Sequence, residues 1–387
     1  MIKNYVAYTS EIDDESIAIE QIKAQLDLDK NLMKHSVAII SCHYEFVKSG
    51  IVKAVCNALP FDVAGAISSY QSTSDAADSL LMTIMLLTGD DSHFATAVTS
   101  SLKQEPGKAI AKSYADAASK REDKPALILT FAPFMMENSG DKYINALTEV
   151  SGGIPCFGTL AVDDTADLFN CFMLFNGEAY FDSMVMVLVY ADISPKFYIA
   201  NILSENILEK SALVTKSSGH VIMELNGKPV DEYFEDLGLR ESSETPYAMS
   251  NLPFMLDYND GTKKVSKIFI TLTPERYALC AGEVPEGSIL HIASTSRGDV
   301  AITTAQILDD ILDDADKDSC LLIYSCIARY ISLAGDETGE ISIVRDKVAG
   351  KFPFMMAYSG GEFCPTQSLY NKAVNRFHNN SFIACLL

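Results

Sequence analysis

CLLIYSCIARY (Cys320 to Tyr330) and FPFMMAYSGGEF (Phe352 to Phe363) are two apolar runs that stop in polar residues. The apolar part of each has strand length and is rich in aliphatic and aromatic residues, which pack well on a pleated surface. The first breaks at Cys326-Ile327-Ala328-Arg329, the second at Ser359-Gly360-Gly361-Glu362. Thr338 to Val348, between them, reads as a helix. Strand, helix, strand is the unit of an α/β sheet, and in open α/β sheets ligands bind just outside the carboxyl ends of strands. Both fragments therefore point to one candidate site, without identifying a reaction.

The same order occurs twice more upstream. Val37 to Cys42, a helix over Ser49 to Leu59, Phe61 to Ser69 and Leu81 to Leu87 form a first instance. Ala126 to Phe131, a helix near Asp141 to Val150, Ile154 to Leu160, Cys171 to Phe175 and Met184 to Val189 form a second. The third closes with Phe382 to Leu386. Ile51, Val52, Val55 and Leu59 fall on one helical face, as do Tyr143, Ile144, Leu147 and Val150. Gly152 and Gly350 are placed as helix C-caps. The second strand of each unit ends near a glycine and a hydroxyl residue, which brings Ser68 and Thr159 into the candidate site.

A different region separates the second and third instances. Val221 to Val230 reads as a strand, a turn at Asn226-Gly227 and a return. Ile268 to Leu272 pairs with Tyr277 to Cys280, and Ser288 to Ala293 follows a turn at Glu286-Gly287. A long helix is expected over Asp299 to Leu312. The fold class is α/β (α+β): two domains, 1–210 and 211–387, with mixed sheets flanked by helices in layered sandwiches. A length of 387 residues suits two or three domains at roughly 150 residues each.

The chain is 48% hydrophobic, which argues against disorder. It carries 52 acidic against 30 basic residues, a net charge of −22. Such a surface repels phosphate backbones and anionic lipid, so neither nucleic acid nor a membrane is expected as a partner. No run approaches the ~20 apolar residues of a membrane span, and no signal peptide is evident. The nine cysteines have no CxxC spacing. They read as reduced thiols in a cytoplasmic protein, and no Cys/His cluster has metal-ligand spacing. Neither GxGxxG nor GxxxxGK[ST] is present, so no cofactor is expected.

Arg329, at a strand end in a chain poor in base, could hold a ligand carboxylate in a bidentate fork. It could equally pair with Glu340 or Glu362. Arg297, after Ser294-Thr295-Ser296, carries the same two readings. Glu362 ends a very apolar strand and is suited to a ligand ammonium. Cys326 serves as pocket wall or, with a guanidinium near it, as a nucleophile. A nucleophilic Cys also needs a base, and none of the six histidines has a motif partner.

These motifs resemble the FIST family (F-box and intracellular signal transduction). Its C-terminal domain carries a strand ending in Cys-x-x-Arg, a Glu opening a helix, and a strand ending in Gly-Glu before a Pro. Here these correspond to Cys326 and Arg329, Glu340, Gly361-Glu362 and Pro365. Val284-Pro285-Glu286-Gly287 and Glu224 to Val230 resemble further parts of that domain. Val63 to Ser69 and Phe157-Gly158-Thr159 resemble softer motifs of the N-terminal domain. The resemblance implies a sensory module for a small ligand such as an amino acid. The expected ligand-binding set is Cys326, Arg329, Glu340, Gly361, Glu362, Arg297, Ser68 and Thr159. No effector segment accompanies these motifs, so output through a separate signalling partner is expected. A Cys326-dependent hydrolase or transferase and a ligand-free interaction scaffold are the alternatives.

Overall fold

The structure is a computed structural model that describes residues 2–387 except 136, 165–170, 241–251, 334, 335, 337 and 369–372. Three six-stranded mixed sheets share one plan. At the centre of each lies a parallel pair joined through helix: His35–Cys42 with Asp62–Ile67, Leu127–Ala132 with Cys156–Leu160, and Leu321–Cys326 with Phe354–Ser359. An antiparallel strand flanks each pair, at Met82–Gly89, Val185–Tyr190 and Phe382–Leu386. An outer strand completes that side, at Lys3–Thr9, His93–Val98 and Lys196–Ala200.

The other side of each sheet is a hairpin donated by a different unit. After Ile67 the chain crosses to the third sheet and forms Gln71–Ser72 with Ala77–Asp78. Beyond Leu160 it crosses to the first sheet as Met173–Phe175 with Glu178–Tyr180. After Ser359 it crosses to the second as Glu362–Gln367 with Ala373–His378. The exchange is cyclic, so no sheet is complete without strands from another unit. The repeat expected from sequence is thus present, and its carboxyl strand ends lie at the crossings. Gly65 and Gly158 mark it in two units. A Cβ on either would stand 1.8 Å from a carbonyl oxygen of the neighbouring strand, Ile40 or Thr130.

Helices cover the outer faces. Ile51, Val52 and Val55 pack on the first sheet, Ile110, Tyr143 and Leu147 on the second, and Leu308, Ile311, Ile341 and Val344 on the third. The inner faces meet in a shared core that includes Ile39, Leu129, Phe157, Leu322, Tyr324 and Ile383. Ser139 caps the helix Gly140–Ser151, and Ser296 with Asp299 forms a capping box at Arg297–Asp314.

Two sequence expectations differ in detail. The single strand read over Phe352 to Gly361 is Phe354–Ser359 followed by a break, at which Gly361 has φ 145°. Glu362 then opens a strand in another sheet. The strand Lys3–Thr9, the helix Glu15–Leu26 and the hairpin strand Ala373–His378 were not expected. Lys3 and Asn4, and Asn375 and Arg376, break the alternation of the two strands, and the helix has only a weak apolar face, which weakens a periodicity signal.

The intervening region is antiparallel throughout and closes into a six-stranded barrel. Ile207–Ser218 pairs with Ile289–Ala293 on one side and Val221–Leu225 on the other. Asn226 and Gly227, at φ 54° and 74°, make the tight turn. The barrel docks on the second sheet through Lys267, which is fully buried. Its ammonium donates to both Asp141 carboxylate oxygens at 2.9 Å and to the Phe377 carbonyl at 2.9 Å. The Glu283 N–H donates to Asp141 at 2.7 Å.

Lys267→Met would leave the Asp141 carboxylate buried without its cation. Removing one partner of a buried pair costs about 3–5 kcal/mol. Denaturant unfolding should show a loss of that size; a loss near that of an exposed pair would mean that the barrel docks by apolar contact alone.

Candidate functional site

The three crossings converge. The Leu160 N–H donates to the Gly361 carbonyl at 2.8 Å, and the Gly360 N–H to the Leu160 carbonyl at 3.0 Å. The Tyr358 N–H reaches the Tyr70 carbonyl at 3.2 Å. Polar backbone that leaves a sheet inside a protein must find partners, and here each crossing supplies the next. Ser68 serves this turn. Its hydroxyl donates to the Tyr70 carbonyl at 3.0 Å, and its carbonyl accepts from Gln71 Nε2 at 2.7 Å. Thr159 donates to the Ser359 hydroxyl at 2.7 Å, which donates to the Gly361 carbonyl at 2.7 Å. The slit among Ser68, Thr159, Tyr324 and Tyr358 has no room for a water molecule.

Glu362 lies in this convergence and is 0% exposed. It stands directly opposite Thr159 on one side and His378 on the other. Directly opposed side chains share a face of the sheet, so the three form one row on the inner face. Neither Glu362 oxygen has a hydrogen bond of good geometry, although the Ser359 hydroxyl, the Cys326 thiol and the Ser381 backbone lie against it. Burial pushes its carboxyl well above the usual range, towards the neutral acid. Ser359, the Cys326 thiol, Arg329 and the Ser381 backbone oppose that shift without overcoming it. The Ser359 proton is already committed to Gly361.

Cys326 is buried, and burial, with Glu362 adding to it, holds its thiol well above the ordinary value. A reactive cysteine is partly exposed and has a lowered pKa. The surroundings of Cys326 are therefore the reverse of what a nucleophile requires.

The sequence reading missed the run His378-Asn379-Asn380-Ser381, which is almost wholly buried although every residue is polar. It turns the chain from one sheet into the next, and Asn380 takes φ 50°, a conformation Asn tolerates. The Cys326 N–H donates to the Ser381 carbonyl at 2.9 Å. His378 Nε2 lies 3.1 Å from the Cys364 carbonyl and 3.2 Å from the Thr366 hydroxyl. A carbonyl can only accept, so Nε2 carries the proton and Nδ1 is a bare acceptor. Burial pushes the pKa of this ring down to about 3, so it is neutral at physiological pH. His378 Nδ1, both polar side-chain atoms of Asn379, Asn380 Oδ1 and the Ser266 hydroxyl have no partner. Four consecutive polar residues between two strand-like runs read as a surface loop; only the crossing topology buries them.

Arg329 and Glu340 are together, but on the other face of the third sheet. Successive strand residues point to opposite faces, so Ser325 faces the helices where Cys326 faces inward. The Ser325 hydroxyl donates to Glu340 Oε2 at 2.6 Å. Arg329 Nε and Nη2 lie 3.0 and 2.7 Å from Glu340 Oε1. Nη2 also reaches Thr304 at 2.8 Å, Thr303 at 3.2 Å and the Val300 carbonyl at 3.3 Å. With Arg329 1% and Glu340 0% exposed, the guanidinium is committed to holding three helices on the sheet. Arg297 is exposed and pairs with Asp336.

A groove of about 750 Å³ opens beside the row, with His378 in its wall. That volume suits a small molecule. The outer strand at Phe197 and Tyr198, the barrel at Met255, Lys263 and Lys264, and the hairpin at Thr366 and Gln367 enclose it. Lys264 Nζ lies 3.0 Å from His291 Nε2. Neither lysine pairs with a carboxylate among the described residues.

Residues 36–228 match the FIST N domain and residues 229–365 the FIST C domain. The chain belongs to the FIST family. FIST domains are sensory domains, associated with signal transduction and small-ligand binding. No curated protein matches this FIST chain in sequence. Cyanuric acid hydrolase from A. caulinodans aligns at 8% identity and a TM-score of 0.36, over 100% of this chain and 99% of that one. A chorismatase aligns at 11% identity and a TM-score of 0.37, with the same coverage. Likenesses this weak carry no argument about activity. No helix among the described residues is long and apolar enough to cross a membrane, and no metal-ligating cluster occurs among them.

Arg329→Ala should lower stability by about 3–5 kcal/mol, because it strands the buried Glu340 carboxylate. Calorimetric melting reads this, and an unchanged melting temperature would contradict the structural role. Glu362→Gln should act in the opposite sense as pH rises. A carboxyl with a raised folded pKa stabilises the fold below its unfolded value of about 4.5 and loses that contribution at higher pH. The stability difference between wild type and Glu362→Gln should therefore shift in favour of the variant as pH rises above about 4.5. A flat difference would show that Glu362 is not held neutral.

Proposed function

We propose that this protein is a small-molecule sensor whose ligand enters the groove beside His378 and is read by the polar row behind it. The ligand class best suited is an amino acid or a similar small carboxylate. Lys263 and Lys264 would take the carboxylate, since neither has an acidic partner among the described residues in a chain with an excess of acid. His378 and Glu362 would face the ammonium, with Cys326, Gly361 and Thr159 shaping the wall. Arg329 and Glu340 support the site from the opposite sheet face, and Ser68 fixes the neighbouring crossing. The supporting observation is that one row of side chains joins an open groove to an unpartnered buried carboxyl. All nine cysteines are buried and unbridged, which fits the proposed cytoplasmic setting. Output to a separate protein partner belongs to the same proposal and rests on the sensory character of the family.

A panel of amino acids and small carboxylates should include compounds that raise the melting temperature, because a ligand specific to the folded state stabilises it. Lys263→Ala combined with Lys264→Ala should weaken the response at least tenfold while leaving the unliganded melting temperature nearly unchanged. A full response in the double variant would remove the groove from the proposal.

A further inference from the structure

The strand Lys196–Ala200 is the outermost of the third sheet, with Phe382–Leu386 on one side and, among the described residues, no strand on the other. An edge strand presents unpaired N–H and C=O groups on its open side. Among the described residues no hydrogen bond from elsewhere in the protein reaches the backbone of that side. The groove runs along it. Phe197 and Ile199 pack on the inner face of the sheet and Tyr198 on the helix face, yet all the residues from Pro195 to Ile199 line the one groove. Successive side chains of a strand point to opposite faces, so a cavity that touches all of them lies beside the strand and not above it. Charged side chains usually protect such an edge. Here the one charge, Lys196, is tied to Asp314 at 2.7 Å, and Phe197, Tyr198 and Ile199 follow it.

The charges along the groove are ordered. Met255 packs against Ile202, just beyond the strand, and stands opposite His291, to which Lys264 donates. Lys263 and Lys264 thus lie towards the carboxyl end of the strand. Asp314 lies towards its amino end, where it accepts from Lys196 and from the Tyr198 hydroxyl. Asp310, one helical turn earlier, also faces Tyr198 and has no ion pair among the described residues. We propose that the ligand of this groove is a short extended peptide, which adds to the edge of Lys196–Ala200 as a parallel strand and sets its terminal carboxylate against Lys263 and Lys264. Its amino end then faces Asp310. In strand addition the main-chain hydrogen bonds supply the affinity and side-chain pockets the selectivity. The strand has five residues and spans about 17 Å at about 3.3 Å per residue, so a peptide of about five residues covers it. The barrel, the second-sheet hairpin and the helix Arg297–Asp314 wall the groove, so what enters is a single segment and not the edge of another folded sheet. The inference rests on the groove reading for its place, and it narrows the ligand from an amino acid to a chain of them.

The test presents two pentapeptides with free termini, Thr-Val-Thr-Val-Thr and Ala-Leu-Ala-Leu-Ala, to the full chain, with alanine alongside. Thermal melting and calorimetric titration read the response. At least one peptide should bind and raise the melting temperature, and amidating its carboxyl terminus should weaken binding at least tenfold. In a strand, alternate residues turn their N–H groups to the same side. N-methylation at either the even or the odd positions, but not at both alike, should therefore cost at least tenfold in affinity. Equal effects of the two methylated series would show that the peptide does not pair with the edge, and would overturn the inference. A response to alanine that depends on Lys263 and Lys264, with none to either peptide, would overturn it too and leave the groove reading standing. No response to any of the three compounds would count against both. Self-association of the chain in sedimentation, without peptide binding, would give the edge to a second copy instead.

Discussion

Three chain segments must leave their own sheets inside the protein, and everything else in the structure follows from how that is accommodated. A strand that ends in the interior exposes backbone N–H and C=O groups that water cannot reach. Here Leu160, Gly360 and Gly361 satisfy one another across the crossing, and Tyr358 is satisfied by Tyr70. Each segment then completes a neighbour's sheet. The cost of such an arrangement is a buried polar centre; its consequence is that polar side chains can be held there without solvent. Small residues are required where backbones approach within van der Waals distance, as Gly65 and Gly158 show.

Much of this was legible in the sequence because the signals were local. Apolar runs of strand length, helices with one apolar face, and Asn226-Gly227 as a tight turn each depend only on neighbouring residues. The three-fold repetition followed from their order. Cyclic exchange of hairpins did not, since pairing partners lie far apart in the chain and nothing in Gln71-Ser72 or Met173 to Phe175 announces a foreign sheet. The Arg329–Glu340 pair was among the readings open from sequence, but its place on the helix side depends on strand alternation through Ser325 and Cys326. The run His378 to Ser381 was invisible as a site because its polarity reads as exposure.

The crossing also explains why two acidic residues in one small region have different tasks. Glu340 receives two nitrogens of a guanidinium and two hydroxyls, so its charge is fully compensated. Glu362 receives none, and burial then favours the neutral acid. A buried neutral carboxyl with no settled partner is a poor structural element and a good detector, because a group that meets its O–H and C=O, or brings charge, improves its situation. Sensory behaviour in a FIST domain needs such a difference between the empty and the filled state, since a ligand shifts an equilibrium only by its differential affinity for the two.

The protonation state of Glu362 is the most direct measurement of this account. Carboxyl carbon shifts of selectively labelled protein, assigned by comparison with Glu362→Gln, report it without reference to any activity. At neutral pH, with no ligand added, the account predicts one carboxylic-acid signal that is absent from the variant. A Glu362 signal at the carboxylate position under those conditions would contradict it.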